Sequence, residues 1–205
     1  MSRESSISFI RNYCTFGDNR AYILMCIARR KFNEGITNSE EVVHRRVINN
    51  AEDIEFNVNY VYNLMEMEDL TFRVYLTVNA HDHISAFWDF QQEMKQMAKG
   101  LYNGDDGAET RISRLGSEWK STLHKPRHRD EKKFQFDLDK VTKSECDEFV
   151  NRIEKVGAEV ILIRETPNGY HVITNPFNYN KIDEWSSFYD ELDTDGMVHV
   201  DRVKQ

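Results

Sequence analysis

The sequence predicts an α+β fold whose C-terminal part, from about Lys133, is a βαββαβ unit. Three observations carry this. Residues 133–139 (KFQFDLD) alternate strictly, with Phe134, Phe136 and Leu138 on one side and Lys133, Gln135, Asp137 and Asp139 on the other, the pattern of a half-buried strand. Thr142 and Glu145 have capping-box spacing ahead of an apolar stripe of Phe149, Val150, Ile153 and Val156, which opens a helix. EVILIRE (159–165) and GYHVITN (169–175) flank Thr166-Pro167-Asn168-Gly169, whose turn chemistry makes the two runs a hairpin.

The remaining elements follow in order. Asp18 is placed to cap a helix through NRAYILMCIARRK, in which Ile23, Leu24 and Ile27 sit at i, i+1 and i+4 and Arg29, Arg30 and Lys31 suit a helix C-terminus. A mixed stretch over 39–64 reads as a second helix. FRVYLTVN (72–79) alternates, with Phe72, Val74, Leu76 and Val78 facing one way and Arg73, Tyr75, Thr77 and Asn79 the other, a second half-buried strand. Residues 84–102 and 108–121 read as helices. In the second half, Gly157 ends the helix that begins at Thr142. A short helix follows over 181–192, then the turn Asp195-Gly196 and a strand, MVHVDRV (197–203). Residues 1–122 form a helical and α/β unit, and residues 123–205 the βαββαβ unit.

Composition narrows the class. Of 205 residues, 30% are charged and 12% aromatic, a balance that suits a folded chain rather than a disordered one. No apolar run approaches the ~20 residues that span a bilayer, and MSRESSISFIRNYC has no signal-peptide core. A cytoplasmic protein with no membrane partner is expected. Cys14, Cys26 and Cys146 lie far apart with no CxxC pair, so neither a disulfide framework nor a cysteine-based zinc knuckle is expected. The net charge of −8 argues against nucleic-acid binding by bulk positive charge. The charge is uneven, however. Residues 120–133 carry six Lys/Arg and two acids, whereas 183–201 carry seven acids and no Lys or Arg. That contrast suits a phosphate-binding strip beside an acidic pocket, or simply two solvated faces.

In a βαββαβ sheet of order 4-1-3-2, the 133–139 strand is central, flanked by the 169–175 and 197–203 strands. Asp137 and Asp139 then share one face, about 7 Å apart by strand rise. His171 joins them from one neighbour and Asp201 from the other, with Asp193 and Asp195 as alternative acids. Carboxylates this close repel unless a cation or proton separates them. An all-oxygen set suits Mg²⁺ or Mn²⁺, whose usual employment at such sites is phosphoryl transfer. A hydrated strand end is the plainer reading of D-x-D. Arg73 and Asn79 on the earlier strand, and Lys125, Arg127 and Arg129 before the D-x-D strand, are candidates for nucleotide or backbone phosphate. Ala28-Arg29-Arg30-Lys31 reads as a helix-end charge cluster first and a nucleic-acid contact second.

These motifs resemble those of the archaeo-eukaryotic primase (primase-polymerase) superfamily, in particular its small phage- or plasmid-type members. FQFDLD is similar to the family's first motif, Gly169-Tyr170-His171 to its second, and VHVD ending at Asp201 to its third. The resemblance covers about residues 70–203. It implies that both units form one compact primase-like catalytic core. It also implies a metal-dependent nucleotidyltransferase that adds NTP or dNTP to a template-bound 3′ end. Asp137, Asp139 and Asp201 would then hold the catalytic Mg²⁺ or Mn²⁺, and His171 would contact the incoming nucleotide. Implied partners are nucleoside triphosphates, a single-stranded DNA or RNA template, and a helicase or other replication proteins, inside a bacterial or archaeal host cell.

Other readings compete. One is a non-catalytic RRM-like nucleic-acid-binding module, against which the central aspartates would repel phosphate. Another is a degenerate primase-like protein. A nucleotide cyclase would share the acids and metal but lacks support from a GGDEF-like turn. A nicking endonuclease would want an HxH pair, a spacing that His81-Asp82-His83 offers after the wrong strand.

Overall fold

The apolar run at 21–28 decides the architecture of the first half. In the computed structural model, which describes residues 2–34, 42–181 and 192–203, this run is a strand, β1 (Arg20–Ala28), and not the expected helix. Every residue from Ala21 to Ala28 is buried. Tyr22, Leu24, Cys26 and Ala28 face one core, while Ala21 and Ile23 face another. A helix presents one stripe to a core, whereas a central strand buries both faces and needs an unbroken apolar run. The i, i+1, i+4 spacing is a by-product of that continuity.

The expected helix over 39–64 is likewise divided. Val42–Ile48 forms β2, which pairs antiparallel with β1. Asp53–Met67 forms α2. Between them the Asn50 side chain accepts from the Asp53 amide at 2.8 Å, a local side-chain bond that competes with a continuous helix. Phe72–Thr77 forms β3 on the other side of β1. The pair His81–Asp82 forms β4, which also pairs with β1. α1 (Arg3–Tyr13) and α2 cover one face of the sheet, where Ile10, Ile54, Val58, Val61 and Met65 meet Leu24, Phe72 and Leu76.

α3 (His83–Tyr102) is as expected, and Asp82 caps it by accepting from the Ile84 and Ser85 amides at 2.9 Å each. The expected helix over 108–121 is two, α4 (Asp106–Ile112) and α5 (Leu115–Leu123). Arg111 ties them together through Glu118 at 2.8 and 2.9 Å.

The second half opens with β5 (Phe134–Asp139) and α6 (Lys143–Lys155), the latter with its full Thr142/Glu145 capping box. β6 (Val160–Thr166) and β7 (Gly169–Thr174) make the hairpin. Phe136, Leu138, Cys146, Phe149, Ile153 and Val172 form the core between α6 and this sheet. Each fully buried apolar side chain of this size contributes about 1.5–3 kcal/mol by area. The short helix expected over 181–192 falls almost wholly on 182–191, outside the described residues.

The last strand corrects the expected topology. The second sheet runs β6-β7-β5-β8, where β8 is only Leu192–Asp193. β9 (Met197–Val203) does not flank β5. It pairs antiparallel with β3 and completes the first sheet, β2-β1-β3-β9. Val198 and Val200 are thereby buried among the residues of the first core. The architecture is thus α+β with two antiparallel sheets, and the sequence boundary at 122/123 does not divide them. The sheets meet where Arg164 of β6 donates to the carbonyls of His199 (3.2 Å) and Val200 (2.7 Å) on β9. No described helix is long and apolar enough to cross a membrane.

Candidate active site

Between the two sheets lies a cleft of about 390 Å³. One wall comes from β5 and β7: Gln135, Asp137, Asp139 and His171. The other comes from β3 and the end of β1: Arg73, Tyr75, Arg29 and Lys31. Asp193 of β8 and Asp195, in the segment joining β8 to β9, also line it. Strand alternation explains the first wall. Phe134, Phe136 and Leu138 turn into the α6 core, so Gln135, Asp137 and Asp139 turn into the cleft.

His171 and Asp137 are register partners on β7 and β5. The His171 ring is buried, at 5% exposure. Its Nδ1 accepts from the His199 amide at 3.1 Å. That bond assigns the ring proton to Nε2, which lies 3.2 Å from Asp137 Oδ1. Gln135 Nε2 sits 3.1 Å from the same Nδ1 and donates to the Met197 carbonyl at 3.3 Å. The hydrogen bond from His171 holds the Asp137 carboxyl below the usual carboxylate range, and the charges of Arg73 and Lys31 act in the same direction. Burial works against them, but the carboxylate is half exposed. Asp139 is exposed on the same face.

Gly169 makes the close approach of these strands feasible. A Cβ there would lie 1.9 Å from the Leu138 carbonyl oxygen, so any side chain would drive β7 from the register that pairs His171 with Asp137.

The opposite wall is cationic and organised by one aromatic ring. The guanidinium of Arg73 lies 4.0 Å from the Phe32 ring centre, the Lys31 ammonium 5.0 Å and the Arg202 guanidinium 5.4 Å. Cation–π attraction gathers these groups against their mutual repulsion. Arg73 is only 8% exposed, and its Nε and Nη2 have no hydrogen-bond partner among the described residues. A buried guanidinium in that state is costly unless an anion reaches it.

The other sequence-stated candidates are placed elsewhere. Asp201 is 2% exposed and does not line the cleft. It accepts from Tyr62 Oη at 2.6 Å, on the face covered by α2. A bulge is the reason. Tyr75 pairs with His199 but Val74 pairs with Asp201, so one extra residue intervenes on β9. His199 and Asp201, which strict alternation puts on one face, therefore point to opposite faces. Among the described residues, Asp193 and Asp195 are the nearby acids that reach the cleft. Asn79 is a staple: its Oδ1 accepts from the Lys133 amide at 2.8 Å, and its Nδ2 donates to the Lys133 and Thr194 carbonyls at 3.3 and 3.1 Å. Lys125 pairs with Glu93, Arg127 with Asp89 at 2.6 Å, and Arg129 with the Thr194 carbonyl and, at 3.8 Å, with Asp195. None of these four lines the cleft. Arg29 and Lys31 do; they follow the end of β1 in a short 3-10 turn, Arg30–Phe32, and not the C-terminus of the expected helix. The residue following that run, Phe32, was the sequence signal for the cationic wall.

The donor set has a definite chemistry. Asp137 and Asp139 line the cleft from one face of β5 and offer only carboxylate oxygens, the donor type of hard divalent cations such as Mg²⁺ or Mn²⁺, but among the described residues they are not gathered with a third ligand atom within 4.8 Å, as His81, His124 and Asp195 are. No protein-family description, curated protein or solved structure matches this chain.

Proposed function

We propose that this cleft is the active site of a metal-dependent nucleotidyltransferase of primase-polymerase type, adding an NTP or dNTP to a template-bound 3′ end. The observation that carries the reading is the buried Arg73 guanidinium, whose Nε and Nη2 have no hydrogen-bond partner among the described residues, in the same cleft as the Asp137/Asp139 pair. A group that is both multiply anionic and metal-bound, as a nucleoside triphosphate is, satisfies both walls at once.

In this reading Arg73 and Lys31 bind phosphate oxygens, with Arg29 at the rim. Asp137 and Asp139 would hold Mg²⁺ or Mn²⁺, which would supply charge neutralisation at the phosphates and a more acidic attacking hydroxyl. The 3′ oxygen forms a bond to the α-phosphorus, the bond to the bridging oxygen breaks, and pyrophosphate leaves as the hydroxyl proton passes to water. His171 acts through Asp137: its Nε2–H fixes the orientation of one carboxylate and keeps it ionised. The third acid of the reading moves from Asp201 to Asp193, which lines the same cleft.

Primer extension tests this. Purified protein with a primed template, labelled NTPs or dNTPs and Mg²⁺ or Mn²⁺ is expected to yield extended product, and Asp137→Ala/Asp139→Ala to yield none. A folded wild-type protein inactive with both metals and both sugar types would sink the catalytic reading. Retained binding of labelled nucleic acid in that case would favour the RRM-like binding module.

A further inference from the structure

Beside the cleft, on its Asp195 side, the fold brings together three residues from segments far apart in sequence. His81 is in β4, His124 is the residue that ends α5, and Asp195 lies in the segment between β8 and β9. One ligand-type atom from each lies within 4.8 Å of the others. The His81 Nε2 to Asp195 Oδ1 distance is 3.8 Å, and the two imidazole rings are 5.5 Å apart between centres.

The two imidazoles are not simply packed histidines. His81 is fully buried, and the Nε2 atoms of both His81 and His124 are shielded from solvent with no hydrogen-bond partner among the described residues. A buried polar atom left in this way costs about 1–3 kcal/mol. The tautomer of His81 follows from its other nitrogen. Nδ1 lies 3.2 Å from the Asn79 carbonyl oxygen, which only accepts, so Nδ1 carries the proton and Nε2 presents a bare lone pair towards Asp195. A histidine whose far nitrogen donates to a backbone carbonyl while the near one points at a carboxylate and a second imidazole is arranged as metal-ligating histidines are.

We propose that His81, His124 and Asp195 form a site for a single borderline-soft divalent cation, Zn²⁺ being the best match, separate from the all-carboxylate pair at Asp137 and Asp139. Two neutral imidazoles and one carboxylate favour Zn²⁺ over Mg²⁺, which wants oxygen donors in an octahedron. Three protein ligands leave a fourth tetrahedral position for water. Binding draws the three ligand atoms to roughly 3.3 Å from one another, as Zn–N and Zn–O bonds of ~2.0–2.2 Å require. That contraction is a small movement of the segment bearing Asp195. The Arg129 guanidinium, 3.8 Å from Asp195, opposes the ion, while Asp193, which accepts from the Asp195 amide at 2.7 Å, adds negative charge beside it.

The His-Asp-His run at 81–83 does not form an HxH pair. Asp82 is used in capping α3, and His83 lines a different groove with Arg46 and Trp119. His124 is the partner that the fold supplies. The ion would tie β4, the end of α5 and the β8–β9 connection together, fixing the part of the cleft that Asp193 and Asp195 line.

The test is Zn²⁺ binding by the full chain after chelator treatment, followed by equilibrium dialysis and metal analysis, with thermal unfolding in parallel. Wild type is expected to keep about one equivalent of Zn²⁺ and to melt at higher temperature with it. His124→Ala and Asp195→Asn, both at partly exposed positions, are expected to lose that equivalent and the Tm shift while keeping the wild-type far-ultraviolet circular dichroism. Asp137→Asn/Asp139→Asn is expected to keep both. No stoichiometric Zn²⁺ on wild type, or Zn²⁺ retained by His124→Ala, overturns the proposal. So does loss of Zn²⁺ only in the Asp137/Asp139 variant, which would assign the ion to the acid pair. Because no step of this test reads nucleotide addition, failure of the catalytic reading leaves its outcome unchanged.

Discussion

His171 Nε2 stands 3.2 Å from Asp137 Oδ1, with the two residues directly opposite each other on β7 and β5. The proton on that nitrogen is fixed by the His199 amide at the far side of the ring. The pair therefore sets the charge state of the cleft as well as its shape.

Replacing His171 by Ala removes the largest contribution that lowers the Asp137 pKa. The sign is definite. A carboxyl whose folded pKa is depressed adds stability above its unfolded pKa and loses it as pH falls through the folded value. In His171→Ala the Asp137 titration, followed by carboxyl NMR, is expected to move to higher pH. The accompanying stability change is expected to be small, because the carboxylate is half exposed and screened. An unchanged titration would show that Arg73 and Lys31, not His171, set it.

Arg73→Met is expected to separate stability from anion binding. Removing a buried charge whose Nε and Nη2 make no hydrogen bond among the described residues is expected to change stability little, because the relief is offset by loss of the Phe32 contact and of the attraction for Asp137. Charged hydrogen bonds to phosphate are worth about 1.5–3 kcal/mol, so tripolyphosphate affinity by calorimetry should fall roughly 10- to 100-fold. A variant that unfolds more easily but binds tripolyphosphate as wild type does would assign Arg73 a packing role alone.

Asp201→Ala is expected to behave as a core variant. It removes the 2.6 Å acceptor of the Tyr62 hydroxyl, which keeps Ser6 Oγ at 2.7 Å, so the loss is that of one hydrogen bond, about 0.5–1.5 kcal/mol, read as a lower urea midpoint. Activity per folded molecule is expected to persist, in contrast to Asp137→Ala. Abolished activity in a fully stable Asp201→Ala would return this residue to the metal site.

Acid sensitivity should be traceable to His199. Burial lowers its pKa to about 4, and neither ring nitrogen has a hydrogen-bond partner among the described residues. Below an unfolded pKa of about 6.5 the unfolded chain takes up a proton that the folded chain refuses until about pH 4, so stability falls as pH drops through that window. The contribution is on the order of 3 kcal/mol by the end of it. His199→Phe is expected to flatten the dependence of the urea midpoint on pH between 6.5 and 4. An unaltered slope would place the sensitivity in another buried group such as His81.

Much of the site was legible because strand alternation is a local property. FQFDLD and FRVYLTVN each assign their faces unaided, so Asp137, Asp139 and Arg73 were named from sequence, and the capping box located α6. Three features were hidden for physical reasons. A strand buried on both faces has no period to read, which disguised β1 as a helix. A bulge costs one residue and leaves no composition mark, yet it turned Asp201 away from the cleft. The pairing of His81 with His124 depends on where α5 ends relative to β4, a tertiary relation no spacing encodes.

The exchange of β9 into the first sheet has a consequence for biogenesis. During synthesis β3 would emerge long before the strand that pairs with it, and until residue 203 is made its outer edge offers a row of unsatisfied amides and carbonyls beside Phe72 and Leu76. Such an edge is a template for any extended chain nearby. A fragment ending at residue 122 would carry that edge permanently, so it is expected to self-associate where the full chain does not.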